Sequence, residues 1–142
     1  MIILDTDHFS VVTDSRHEFH ATLMARLQHS GDLLALPVIA VEEQLRGWLA
    51  QMRRIRDVKE LIYPYDRLIR LLDILGEWEI ARWSQPAAEE FNRLRKQRVR
   101  IGTQDLKIAA IALASDALLL SANLRDFEQV PGLRVEDWLR AR

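Results

Sequence analysis

Short blocks of large apolar residues alternate along the chain with longer stretches in which apolar positions recur every three or four residues. The first block, Ile2-Ile3-Leu4, runs straight into Asp5-Thr6-Asp7. An apolar run this continuous, rich in β-branched residues, predicts a short strand buried on both faces of a parallel sheet. Leu33-Leu34-Ala35-Leu36, Ala117-Leu118-Leu119-Leu120-Ser121 and Leu133-Arg134-Val135 predict three more, and Trp78 to Trp83 is a brief strand or a connecting segment. Between them the helical period dominates. Asp7 or Ser10 is placed to cap a short helix, and Phe19, Leu23, Met24 and Leu27 mark a longer one over His17 to His29. Pro37 suits the opening of a long helix from Val38 to about Ile55, whose stripe is Leu45, Trp48, Leu49 and Met52. Asp57 to Ile62 continues helically until Pro64 interrupts, and helices follow over Asp66 to Leu75, Ser84 to about Val99 and Asp105 to about Ser115. The alternation predicts an α/β fold: a parallel sheet of four to five short strands with helices on both faces. In the Asp66 helix, Leu68, Ile69, Leu71, Leu72, Ile74 and Leu75 are apolar around much of the circumference. Such a helix is buried on several sides, by this chain or by another.

Composition narrows the chemistry. At 142 residues the chain is expected to be one domain, 1–142, with a sizeable core. Twenty basic residues against 21 acidic ones leave a net charge of −1, so any nucleic-acid contact must come from a local patch. The absence of cysteine excludes disulfides, thiolate zinc sites and a cysteine nucleophile. With no basic-then-apolar leader and no apolar run approaching eighteen residues, a soluble cytoplasmic protein with no membrane association is expected.

The candidate chemistry is acidic. Asp5 and Asp126 follow apolar strands at their carboxyl ends or one loop beyond, in the crevice where open α/β sheets bind ligands. Glu42, Glu43 and Asp105 sit near the N-termini of helices that open at that same edge. Any one of these acids has an ordinary structural reading as a cap or first-turn residue. Gathered together, four carboxylates could not all stay ionised without a cation, and Mg2+ suits an all-oxygen site with few direct ligands.

Four blocks carry a family resemblance: Ile3-Leu4-Asp5-Thr6-Asp7, Val41-Glu42-Glu43-Gln44-Leu45-Arg46-Gly47, Ile101-Gly102-Thr103-Gln104-Asp105-Leu106-Lys107-Ile108-Ala109-Ala110, and Ser121-Ala122-Asn123-Leu124-Arg125-Asp126-Phe127 running on to Val130-Pro131-Gly132-Leu133. In content and order they resemble PIN-domain proteins, specifically the VapC-type toxin ribonucleases of bacterial toxin–antitoxin pairs. The resemblance implies a PIN-like (Rossmann-like) fold and an acidic site on Asp5, Glu43, Asp105 and Asp126, supported by Thr6 and Asn123. Asp5 and Asp105 would ligate the metal, with Glu43 and Asp126 acting directly or through water. The implied activity is endonucleolytic cleavage of RNA by a metal-activated water, with Mg2+ or alternatively Mn2+. The implied partners are a homodimeric copy and a cognate antitoxin that blocks the site. The family's acid precedes a glycine by four residues, which favours Glu43, before Gly47, over Glu42. Pro37-Val38 stands where relatives often carry a hydroxyl, Asp7 where Asn is frequent, and Ser121 where Thr is common. Asp7 therefore either adds a carboxylate or caps the next helix.

Two other functions fit parts of the pattern. Asp5-Thr6-Asp7 also resembles the nucleophile pair of haloacid-dehalogenase phosphatases, although His8-Phe9 follows where that family has Gly-Thr. A catalytically silent module with the same fold would use the site only to hold a partner. For RNA, the cationic run Arg93 to Arg100 supplies Arg95, Lys96, Arg98 and Arg100 as phosphate contacts, with Arg125 as another. Arg46, Arg53, Arg54 and Arg56 suit RNA or an acidic partner equally. His17 and His20 read as a surface pair, and His8 is placed to approach substrate. Trp48, Trp78, Trp83 and Trp138 read as core or interface residues rather than base-stacking platforms.

Overall fold

A computed structural model describes residues 1–140. Five short strands, β1 (Ile2–Leu4), β2 (Leu34–Pro37), β3 (Glu79–Ala81), β4 (Leu118–Leu120) and β5 (Arg134–Glu136), form one sheet in the order β3-β2-β1-β4-β5. Every pairing is parallel; Ile3 lies between Ala35 on one side and Leu119 on the other. The helices are α1 (Thr6–Thr13), α2 (His20–Ser30), α3 (Val38–Arg53), α4 (Ile62–Gly76), α5 (Gln85–Lys96), α6 (Thr103–Ala114) and α7 (Leu124–Phe127), with a 3-10 turn at Val58–Leu61.

Period-two alternation divides the strand residues between two cores. Ile3, Ala35 and Leu119 pack on one face with Ala87 and Leu94 of α5 and with Leu106, Ile108, Ala109, Ile111 and Ala112 of α6. Ile2, Leu4, Leu36 and Leu120 pack on the other with Phe9 and Val11 of α1 and Leu23 and Leu27 of α2. The small residues of α6 let it sit directly on the sheet, with the run Ile108 to Ala112 fully buried.

Several boundaries differ from the sequence reading for local reasons. The first helix is capped by Asp5, whose carboxylate accepts the Thr6 N–H, and not by Asp7 or Ser10. The second helix starts at His20, three residues after His17. Pro64 does not break the fourth helix but sits in its first turn, where its missing N–H would lack an intrahelical partner anyway. The fifth helix stops at Lys96 because Arg98 turns left-handed, with φ 60°. Glu79–Ala81, ambiguous in sequence, is the edge strand. In α4 no residue is fully buried, and only its end, Ile74 and Leu75, packs against the core of this chain. Ile62, Ile69 and Leu72 are each more than half exposed, so the apolar wrap of this helix is not used up by its own fold.

Candidate metal centre at the carboxyl edge of the sheet

The carboxyl ends of β1 and β4 meet through a hydrogen bond from the Asp5 N–H to the Leu120 carbonyl, 2.9 Å. That contact brings Asp5 beside Ser121, the residue after β4. One Asp5 oxygen accepts the Thr6 N–H at 2.8 Å and the other accepts the Ser121 hydroxyl at 2.9 Å. The Ser121 oxygen in turn accepts the Asn123 N–H at 3.1 Å. Asn123 Nδ2 then donates to Asp105 Oδ2 at 3.2 Å and to Asp126 Oδ2 at 3.1 Å. Ser121 and Asn123 thus link the acid of the first strand to those of α6 and α7. Glu43, half-buried in the second turn of α3, completes the group from the other side.

Electrostatics shows that these acids feel one another. Burial pushes the Asp5 carboxyl above its usual range, and Asp7 and Asp105 add to the rise. Burial raises Glu43 as well, followed by the charges of Asp5, Asp105 and Glu42. Asp105 is raised by burial and then by Asp126, against a lowering hydrogen bond from Asn123. Among the described residues, none of Asp5, Glu43, Asp105 and Asp126 forms an ion pair with Lys or Arg. Glu43 Oε1 and Thr6 Oγ1 are buried without any hydrogen-bond partner. Half-buried carboxylates without an ion-pair partner, only Glu43 feeling a cation (Arg46, more weakly than its acidic neighbours), and an orphaned carboxylate oxygen fit a hard divalent cation, which takes oxygen ligands. Among the described residues no three His, Cys, Asp or Glu side chains stand close enough to enclose an ion by themselves. That spacing suits a cation that keeps part of its water shell and takes only one or two carboxylates directly.

The two glutamates of α3 separate cleanly. Glu42 is exposed, accepts from Arg46 at 2.8 Å and from Gln104 at 3.0 Å, and is held below the usual range, first by the Gln104 hydrogen bond. Glu43 is the one coupled to Asp5 and Asp105. Asp7 has a third role, neither open ligand nor cap. Its Oδ2 accepts the Ala122 N–H at 2.9 Å, and its Oδ1 lies 2.6 Å from both the backbone N and the ring Nδ1 of His8. Turned this way, Asp7 does not stand free beside Asp5 as a phosphatase-type acid would.

His8 is fully buried, which overturns its expected approach to substrate. Its Nε2 accepts the Trp138 N–H at 3.0 Å, so Nδ1 carries the proton that Asp7 accepts. Sequence reasoning missed this link and the hub role of Ser121. The only local signal was an acid next to a histidine. His17 and His20 have separate partners, the Phe19 N–H and the Val11 carbonyl, and do not converge on a metal. Arg95, Lys96, Arg98, Arg100 and Arg125 are all exposed. Trp48, Trp78 and Trp138 are half-buried, whereas Trp83 stands 39 % exposed just past β3.

Burial tends to raise Asp7, but the hydrogen bonds from the His8 ring and the Ala122 N–H outweigh it and hold the carboxyl below its usual range. Asp7 therefore contributes stability that is present above the ordinary carboxylate range and lost as pH falls through its own lowered pKa. Asp7→Asn keeps one acceptor oxygen for three N–H donors, so it is expected to cost about 1 kcal/mol at neutral pH, after allowance for partial exposure. The difference from wild type should shrink on acidification. Urea unfolding at neutral and acid pH measures both.

Comparison with known proteins agrees with this architecture. The PIN domain family model matches residues 2–133. Ribonuclease VapC2 of Haemophilus influenzae is 35% identical over 81 residues, covering 54% of this chain and 61% of that protein. The chain thus spans about six tenths of that relative's length. The tRNA(fMet)-specific endonuclease VapC of Salmonella typhimurium is 29% identical over 91 residues, 61% of this chain and 69% of that one. Among solved structures, VapBC-1 from nontypeable Haemophilus influenzae superposes with a TM-score of 0.73 at 25% identity, over 99% of this chain and 100% of that one. The family match runs from the first strand to the turn before the last, taking in all four acids and the Ser121–Asn123 link. On that match the chain belongs to the PIN-domain family.

Proposed function

We propose that residues 1–142 form a single-domain, magnesium-dependent endoribonuclease that acts as the toxin of a toxin–antitoxin pair, with Mn2+ as an alternative ion. The observation that carries this reading is the set of carboxylates Asp5, Glu43, Asp105 and Asp126, mutually repelling and without a cationic partner among the described residues. Asp5 and Asp105 would hold the ion, with Glu43 and Asp126 contributing directly or through water. When bound, a divalent cation supplies the positive charge that activates a water and stabilises the leaving oxygen of a phosphodiester. The residues of this chain do the positioning. Ser121 and the Thr6 N–H orient Asp5, and Asn123 spaces Asp105 from Asp126. The names of the relatives, ribonucleases and an endonuclease, support the substrate class.

The partner reading rests on surface left open by the fold. A cleft of about 560 Å³ between α1, α3 and α4 is lined by Phe9, Trp48, Leu71 and Ile74 with Arg67 and Arg70 among them. It borders the exposed face of α4, and such a groove suits the amphipathic helix of an antitoxin, while the outer face of α4 suits a second copy in a homodimer. No helix among the described residues is long and apolar enough to cross a membrane.

Purified, partner-free protein incubated with total cellular RNA tests the activity. Discrete fragments in Mg2+ that vanish with chelator are expected. Folded protein that leaves the RNA intact in Mg2+ would overturn the nuclease and favour a silent binding module.

A further inference from the structure

The acids are flanked by a second feature to which no role has been given. Trp83 lies two residues past the carboxyl end of edge strand β3, and it borders a cleft of about 380 Å³ whose other walls are Val38, Ile39, Glu42 and Lys107. Those walls belong to the same helices that carry the acids. Val38, Ile39 and Glu42 precede Glu43 on α3, and Lys107 follows Asp105 by two positions on α6. The indole is not loose. Phe91 meets it edge to face, with ring centroids 5.8 Å apart at 76°, and the Arg95 guanidinium lies over Phe91 at 5.4 Å. Glu42 is fixed by Arg46 and Gln104, so its charge is partly neutralised at the rim. No side chain caps the start of α3, which leaves the partial positive charge of its first amides at the same place.

A large aromatic packed on a second ring, still more than a third exposed, with Lys107 in the same cleft and Arg95 over the supporting Phe91, has the composition that binds single-stranded nucleic acid: bases stack on the ring and cations hold the backbone. We propose that this cleft is a nucleotide subsite, in which Trp83 stacks on one unpaired base of the RNA next to the bond being cut while Lys107 and Arg95 hold flanking phosphates. The inference rests on the ribonuclease reading and deepens it by requiring an unstacked, single-stranded substrate. A base in a duplex has both faces covered, whereas loops, bulges and ends can offer one.

The test separates stacking from charge. The probe is a short, unstructured, fluorescein-labelled RNA of mixed sequence, bound to the full chain carrying Asp105→Asn so that it is not consumed. Binding is followed by anisotropy across a salt titration in Mg2+. Adding Trp83→Ala should weaken binding about 10-fold, within the range of one stacked base, and leave the salt slope unchanged because no charge is lost. Trp83→Phe should restore most of the loss. Lys107→Gln should flatten the slope of log affinity against log salt by about 0.7, the share of one phosphate contact on a single strand. Equal binding with and without the Trp83→Ala change would overturn the subsite alone, as would a Trp83→Phe protein that binds no better than Trp83→Ala. A Trp83→Ala protein whose oligomeric state changes in size-exclusion chromatography while its RNA affinity holds would assign the cleft to a protein contact instead and overturn the proposal. RNA neither bound by these proteins nor cut by wild type in Mg2+ would remove the nuclease reading itself.

Discussion

Asp5→Asn and Asp105→Asn should each cut RNA more than about 100-fold more slowly than wild type, since even the hydrogen-bonding partners of metal ligands cost 10–100-fold. Both variants should also melt at a higher temperature. The two results have one cause. Burial and neighbouring acids raise both carboxyls in the folded chain, so the native state holds on to protons that the unfolded chain has released. Stability therefore falls as pH rises from the ordinary carboxylate range through the raised pKa, and at neutral pH the full penalty is present. Asparagine removes the charge with little change of shape. It caps a helix about as well as aspartate, so the contact from position 5 to the Thr6 N–H survives; the Ser121 hydroxyl loses its Asp5 acceptor but has Asp7 Oδ2 at 3.4 Å, and the amide carbonyl introduced by Asp105→Asn can still accept from Asn123. A gain of about 0.5–1 kcal/mol is expected after allowance for solvent screening of these partly exposed groups, roughly 2–4 °C in melting temperature. The advantage should disappear when the proteins are melted at a pH low enough to protonate the wild-type acids. Melting curves of both variants, beside their RNA cleavage rates, check the pair of effects. Loss of activity together with loss of stability would mean that these acids are structural and that the proposed centre lies elsewhere.

The second large effect is the converse. A divalent cation that occupies the site binds the folded chain and not the unfolded one, so wild type should melt higher in Mg2+ than in chelator. At an ion concentration 100 times the dissociation constant the gain would be about 2.7 kcal/mol, several degrees for a chain of this size. Asp105→Asn should lose most of that increment, since it removes a ligand and part of the charge that attracts the ion. Calorimetric scans of the two proteins with and without Mg2+ measure this without any reference to RNA. Equal increments in both would place the bound ion away from Asp105.

Much of this site was readable in the sequence because its acids sit where strand and helix ends must converge. The runs Ile2–Leu4 and Leu118–Leu120 are apolar on both faces, and only a central place in a sheet satisfies that, which brings Asp5 to Ser121. Elsewhere the pattern underdetermined the answer. The α4 helix looks buried because a sequence records that a surface is apolar and not which molecule covers it. Trp83 reads as a core or interface residue like the other tryptophans because its exposure depends on where the chain leaves an edge strand of three residues. Asp7 stayed between two roles and His8 was placed wrongly because their deciding donors, the N–H groups of Ala122 and Trp138, lie 115 and 130 residues away.

If the chain is the toxin proposed above, those separations would also set when during synthesis its site is assembled. Asp5 leaves the ribosome long before its hydroxyl donor Ser121, which follows 116 residues later. The strand that carries Asp5 lies between β2 and β4, so it cannot take its final place until β4 has been synthesised. Contacts this distant in sequence form late. A nascent chain can therefore carry Asp5, Glu43 and Asp105 while still lacking the arrangement that joins them. On that reading, the acidic site would stay unassembled until the last strands emerge.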